Sequence, residues 1–441
     1  MPDDQRDRHR GGGVAVVRRA PFSDNPRVGT RGQRTQQKIL DAALRVFGEE
    51  GYHRCSIERI TKLGGCSRVS FYQYFASKED VFRHLGEQVA RQLSASTETL
   101  DPLTPDREGW DAMRAWITQF AGIYERYEPI FHAYQAAVES DQFFAAFAAR
   151  TDDQIISRFH SRLVTATLPP RQLEPVIRLL LDCMSHTLDV VGILRFVTPF
   201  AYPSERVETA ITDVLHRTLF GRRAEVNVHE PGGPPPPGLE PGPAMLGLLQ
   251  QDHTTVEANA DGRAALSALL ASGRAVFVGR GYHNTRVDDL VAAAGVSHGA
   301  FYRYFRNKDE LARILTVRAL QGLGTELLEI PDLSADHGSA DSGALRRWLR
   351  RYNAAHANEA GMLRVWVDAA LQDPELRAES APPLDWGRRR MSRYLQPRGF
   401  GDVDMEAVVG VALLGVFGAR QRSASGIDAA DHIIERGLLG R

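Results

Sequence analysis

The chain has 441 residues and a formal charge of −1, with 54 Lys and Arg against 55 Asp and Glu. That length holds two or three domains with cores of their own, and the charge balance excludes a uniformly basic nucleic-acid binder. Three cysteines, Cys55, Cys66 and Cys183, form no CxxC pair and are too few for a disulfide framework. The longest apolar stretch, 408–419, is about a dozen residues, short of the roughly 20 that cross a bilayer. The N-terminal MPDDQRDRHRGGG offers no apolar run for a signal peptide. Together these features predict a soluble cytoplasmic protein with no membrane contact.

Residues 1–30 predict a disordered basic arm. Arg27, Arg31 and Arg34 then precede the first helix, placed to reach a minor groove. That helix is expected over 34–50, with Ile39, Leu40, Ala43, Leu44 and Phe47 at helical spacing and Gly51 as its stop. Ser56 or Cys55 opens a short second helix that points Ile57 and Ile60 inward. Gly64-Gly65 breaks it, and Ser67 caps a third helix over 68–75. Phe71 and Phe75, four apart, share its buried face. Arg68, Val69, Tyr72 and Gln73 lie on the other faces. Such a helix fits a major groove, where Arg pairs with guanine and Gln with adenine. Tyr74 and Lys78 are suited to phosphate oxygens.

The chain then repeats itself. Residues 51–85 (GYHRCSIERITKLGGCSRVSFYQYFASKEDVFRHL) align without a gap on 281–315 (GYHNTRVDDLVAAAGVSHGAFYRYFRNKDELARIL). In the second copy Thr285 is the expected cap of the second helix, Gly295 makes the turn and Ser297 caps the third. Phe301 and Phe305 are its buried pair. His298, Gly299, Tyr302 and Arg303 form its exposed face, with Tyr304 and Lys308 beside the backbone. Because the reading residues differ, the two copies predict unlike half-sites. Segments 27–92 and 262–320 each carry about +5 within this near-neutral chain, as a nucleic-acid footprint requires.

Between the copies, 222–262 includes EPGGPPPPGLEPGP, which continues no helix and predicts an extended linker with polyproline II character at 234–237. Everything else reads as helix. The expected division is head 31–92, body 93–221, linker 222–262, head 263–322 and body 323–441, all-α, in two tandem units.

The head residues resemble the TetR family. AGVSHGAFYRYFRNKDEL at 294–311 is similar to that family's turn and recognition helix nearly throughout. GGCSRVSFYQYFASKEDVF at 64–82 departs at Gly64, Cys66 and Val69, where Ala, Val and Gly are usual. The resemblance implies a three-helix helix-turn-helix head in each half. Its contact set is Ser56, Ser67, Arg68, Val69, Ser70, Tyr72, Gln73, Tyr74 and Lys78 in the first half. In the second it is Thr285, Ser297, His298, Gly299, Ala300, Tyr302, Arg303, Tyr304 and Lys308. It also implies pairing through the last two helices of each unit, here 174–194 with 204–219 and 405–420 with 427–438. Either the halves pair within one chain, as a pseudo-dimer, or two chains form a homodimer with four heads.

The bodies are rich in aromatics. Trp116, Phe120, Tyr124, Phe131 and Tyr134 with His186 in the first body, and Trp348, Tyr352 and Trp366 in the second, are the candidate pocket for an apolar or aromatic small-molecule effector. Plain core packing is the competing reading of each. The histidines form no metal-binding pattern, and no nucleophile, P-loop or dinucleotide motif occurs, so no cofactor, metal or enzymatic activity is expected. The sequence predicts a ligand-responsive regulator, with repression the implied sign, that binds a double-stranded DNA operator through two unlike heads. The alternative is a ligand-binding or interaction protein in which one head no longer binds DNA.

Overall fold

The computed structural model describes residues 29–52, 54–140, 142–164, 168–197, 202–223, 225–226, 260–282, 284–331, 342–372, 374–420 and 424–441. The arm ahead of residue 29 and most of the linker lie outside the described residues. Among those described the protein is helical, with a single bridge between Leu103 and Leu163.

In the first half α1 (Thr30–Glu50), α2 (Ile57–Leu63) and α3 (Arg68–Tyr74) form the head. α4 (Lys78–Glu98), α5 (Arg107–Ser140), α6 (Gln142–Arg162), α7 (Pro170–Val197) and α8 (Ser204–Phe220) follow. The second half repeats the head as α9 (Ala260–Arg280), α10 (Val287–Ala294) and α11 (His298–Tyr304). It continues with α12 (Lys308–Leu328), α13 (Ser342–Gln372), α14 (Pro374–Leu395), α15 (Val403–Arg420) and α16 (Ala424–His432), which ends in a wide turn over Ile433–Leu438.

Helix α1 begins earlier than the sequence suggested. Arg31 and Arg34 sit in its first two turns rather than ahead of it. Nothing in TRGQ opposes a helix, and Thr35 Oγ1 bonds back to the Arg31 carbonyl at 3.1 Å. Only Arg27 of that trio precedes the helix, and it lies outside the described residues.

Two cores divide the apolar surface. The smaller belongs to the first head: Ile39, Ala43, Phe47, Ile60, Phe71 and Phe75 pack on Val81, Leu85 and a segment of α5 around Tyr127 and Ile130. Pro129 lies inside α5, and the backbone leaves helical geometry at Tyr127 (φ −114°, ψ 21°), kinking the helix there. The larger core runs through both bodies and takes in the second head.

The bodies meet through α7, α8, α15 and α16. Cys183 Sγ donates to the Val409 carbonyl (3.5 Å), His432 Nε2 lies 3.2 Å from the Thr218 carbonyl, and Arg206 grips Asp402 with bonds of 2.8 and 3.0 Å. At the centre Arg217 and Glu406, both fully buried, form an ion pair that Arg398 joins. Within this one chain the two bodies therefore pack against each other.

One buried histidine makes the packing sensitive to acid. His216 Nε2–H donates to the Thr104 carbonyl (3.0 Å), its Nδ1 has no partner among the described residues, and burial pushes its pKa down to about 4. The unfolded chain takes up a proton near 6.5 that the folded chain refuses, so stability falls as pH drops from 6.5 toward 4. H216F is expected to flatten that fall, as measured by denaturant unfolding at pH 7, 5.5 and 4.5.

Candidate nucleic-acid interface

Each head builds its third helix the same way. Ser67 Oγ accepts from Ser70 N–H at 3.0 Å, and Ser297 Oγ from Ala300 N–H at 3.2 Å. These caps start the helix, and Phe71 with Phe75, or Phe301 with Phe305, anchor its inner face at 0–2 % exposure. The turn before the helix needs one residue with positive φ. Gly65 (61°) and Gly295 (65°) occupy the same alignment position, so glycine is required there. Gly64 has right-handed geometry (φ −74°), as any residue can. The first head's unusual Gly-Gly-Cys thus makes the same turn as the second head's Ala-Gly-Val.

The outward faces carry the expected side chains. Arg68, Val69, Tyr72 and Gln73 are exposed in α3; His298, Gly299, Tyr302 and Arg303 are exposed in α11. Val69 is 72 % exposed and Tyr302 57 %, high for large hydrophobic side chains. Ser70 and Ala300 are half-buried. His298 Nε2 lies 2.6 Å from Asp288 Oδ1, so the second head sets a carboxylate beside its exposed face. Sequence reasoning missed Asp288 because it belongs to the preceding helix.

Several expected contacts are used inside the head. Lys78 Nζ donates to the carbonyls of Tyr52 (2.9 Å) and Cys55 (3.3 Å) and sits over the Tyr52 ring. Lys308 repeats this with Tyr282 (2.9 Å), Thr285 (3.0 Å) and the Tyr282 ring. Both lysines tie the loop after the first helix to the start of the fourth. The reason is local: turn carbonyls left without helical partners attract the nearest ammonium. Tyr304 hydroxyl likewise donates to the Gly262 carbonyl (2.9 Å), and Tyr74 is half-buried against the first head's core.

Ser56 does cap α2, accepting from Arg59 N–H at 3.2 Å. Thr285 does not cap α10. It is buried and donates to the Gly281 carbonyl (2.8 Å), while Asp289 accepts from the Arg286 N–H at 2.9 Å to close that helix start. Cys55 is also buried, and its thiol is pushed up to about 11, which keeps it protonated.

The body residues form packed strings. Trp116, Phe120, Phe131 and Tyr124 follow one another with ring centroids 4.9–6.2 Å apart. At the end of the string Tyr124 hydroxyl donates to Asp189 and lies 3.1 Å from His132 Nε2. His186 Nδ1 is 3.4 Å from the other Asp189 oxygen. Burial favours a neutral Asp189, but the hydrogen bonds from His132 and His186 hold its carboxyl well below the usual range. Sequence reasoning missed Asp189 and named His186 without its partner. Tyr134's side chain lies outside the described residues.

In the second body Trp348 stacks near Tyr352 (5.4 Å), and its indole donates to the Glu326 carbonyl (2.8 Å). Trp366 is buried farther along the same helix, roughly 21 Å from Tyr352 at the helical rise, so it does not converge with that pair. Among the described residues no group of His, Cys, Asp and Glu is placed to hold a metal, and no helix is long and apolar enough to cross a membrane.

Among the described residues the chain is helical, with two capped, outward-facing third helices in a duplicated helix-turn-helix arrangement. Its residues 39–85 and 269–314 match the family described as "Bacterial regulatory proteins, tetR family", once in each head. Among curated relatives it is similar to the uncharacterized HTH-type transcriptional regulator YvdT of Bacillus subtilis, 33% identical over 98 residues, which is 21% of this chain and 47% of that protein. It is also similar to the HTH-type transcriptional repressor AcnR of Corynebacterium diphtheriae, 34% identical over 92 residues, 19% of this chain and 48% of that one. A third is the fatty acid metabolism regulator protein of Bacillus subtilis, 41% identical over 56 residues, 13% of this chain and 29% of that protein. The chain thus matches about half the length, or less, of these relatives.

Proposed function

We propose that the protein is a DNA-binding transcription regulator whose two heads, held by one bundle, read two unlike half-sites of a double-stranded operator. The observation that carries this reading is the pair of identically capped third helices whose exposed faces differ: Arg68, Val69 and Gln73 against His298, Gly299 and Arg303. Arg and Gln suit guanine and adenine edges, and the protruding Val69 suits a thymine methyl. On this reading 31–92 and 263–322 are the heads, 93–221 and 323–441 the bodies, and 222–262 the linker of a single-chain pseudo-dimer acting in the cytoplasm. Repression follows from the similarity to AcnR, a transcriptional repressor. The aromatic strings that end at Asp189 support response to an apolar or aromatic small molecule, with no cofactor and no enzymatic step.

The test is selection of duplexes by the full chain from a random library, followed by footprinting with the mass of the complex measured at the same salt. One chain protecting two unlike half-sites supports the proposal. Two chains on a palindrome would support a four-headed homodimer instead, and no selected sequence would favour an interaction protein. R68A and R303A are each expected to weaken binding by about 1–3 kcal/mol, roughly 5- to 150-fold, each at its own half-site.

A further inference from the structure

The pairing helices of the two halves repeat each other. LHRTLFGR at 215–222 matches IERGLLGR at 434–441, and LEPVIRLLLDCM at 173–184 matches MEAVVGVALLGV at 405–416. The positive-φ glycines Gly221 and Gly440 coincide in the first alignment and fix its register. Arg217 and Arg436 are thus equivalent, as are Glu174 and Glu406, yet the structure uses them differently. Arg217 and Glu406 meet fully buried, with Arg398 (4 % exposed) on the same carboxylate. Glu174 stays exposed and accepts from Arg178 of its own helix at 3.4 Å.

The steric fit is one-sided in the same sense. Thr218 and Gly437 are equivalent residues that face each other across the bundle. A Cβ on Gly437 would collide with Thr218 Oγ1 and lie 2.9 Å from the Val214 carbonyl. Gly415 is the equivalent of Cys183, and a Cβ there would lie 2.7 Å from His186 Nε2. In both places the second half supplies the glycine and the first half the larger side chain. Two first halves brought together this way would set Thr218 against Thr218 and Cys183 against His186, where no space exists. Two second halves would set glycine against glycine and leave voids.

We propose that the two pairing faces are coded for each other, so that the first half accepts the second half of this chain and rejects a copy of itself. The chain then closes on itself and always joins two unlike heads. The use of that mixed pair on DNA rests on the function proposed above; the coding itself is tested without DNA.

The experiment uses the full chain carrying G437A, G415A, T218A, H186A, T218A/G437A or H186A/G415A, with thermal unfolding and mass in solution as readouts. Each glycine variant is expected to melt about 5 °C or more below the parent. The H186A/G415A double variant is expected to recover at least half of that loss and T218A/G437A a smaller part, because the Val214 carbonyl stays in place, although T218A and H186A alone give no gain. The parent is expected to keep single-chain mass from low to high micromolar concentration. Glycine variants that melt like the parent, or doubles whose losses simply add, overturn the coding. A shift of the parent to two-chain mass overturns the self-closure. DNA binding is not read here, so failure of the heads on DNA would be a separate result.

Discussion

Replacing Glu406 with leucine is expected to lower the unfolding free energy by about 3–5 kcal/mol, the range for breaking a buried ion pair from one side. Arg217 and Arg398 converge on this carboxylate; Arg217 Nε also donates to the Gly437 carbonyl (2.8 Å) and Arg398 to that of Leu438, and both guanidiniums lie over the Phe400 ring. Burial already holds the Arg398 guanidinium below its ordinary pKa. Without Glu406 two cations remain in an apolar bundle with Asp213 their nearest anion, 3.9 Å from Arg217. The converse change has the opposite expectation. Substituting all three members with Met or Leu removes the desolvation cost along with the attraction, and should restore most of the loss. Urea unfolding followed by helical circular dichroism measures both. A loss below 1 kcal/mol in E406L would show that water reaches the arginines.

Phe71→Ala and Phe301→Ala remove equivalent side chains, each fully buried, at a typical cost of about 3–5 kcal/mol. Their consequences should differ. Phe71 belongs to the separate core of the first head, bordered by Leu93 and Phe131, so its loss should melt that head while the bodies stay folded. Phe301 belongs to the core that runs on into the bodies, so its loss should lower the stability of the whole second half. Hydrogen exchange on each variant checks this. Protection should vanish in 30–75 alone for F71A, and fall across both α9–α11 and α12–α13 for F301A. Equal local loss in both would mean that the second head is as independent as the first.

The heads were legible because their information is local. A serine three residues before a free N–H, a phenylalanine pair four apart and a glycine at one turn position fix α3 and α11 without distant help. The lysines were not legible: a four-carbon stem lets Lys78 fold back onto the Tyr52 carbonyl, and sequence cannot distinguish that from reaching a phosphate. Thr285 and Asp289 both suit a helix start, and the carboxylate took that role once the hydroxyl was buried against Gly281. The bundle was legible as two pairs of apolar helices. Which charges meet inside it was not, since Arg217 and Glu406 lie 189 positions apart and nothing short of packing selects their partnership.

The kink in α5 joins the first body to its head. Below the bend Tyr124 is tied to Asp189 of α7, and above it His132 leans on the same carboxylate. Between them Pro129 presses on Gly48 of α1, where an added Cβ would lie only 3.3 Å from the ring, and Tyr127 hydroxyl accepts from Gln92 of α4 at 2.7 Å. Contacts through Tyr127 and Pro129 thus link α7 to α4 and α1 by way of α5. α13 contains no proline, and the second head shares its core with the body it sits on. The two heads are therefore fastened to their bodies by different means, the first through a bent, proline-bearing helix and the second through a shared core.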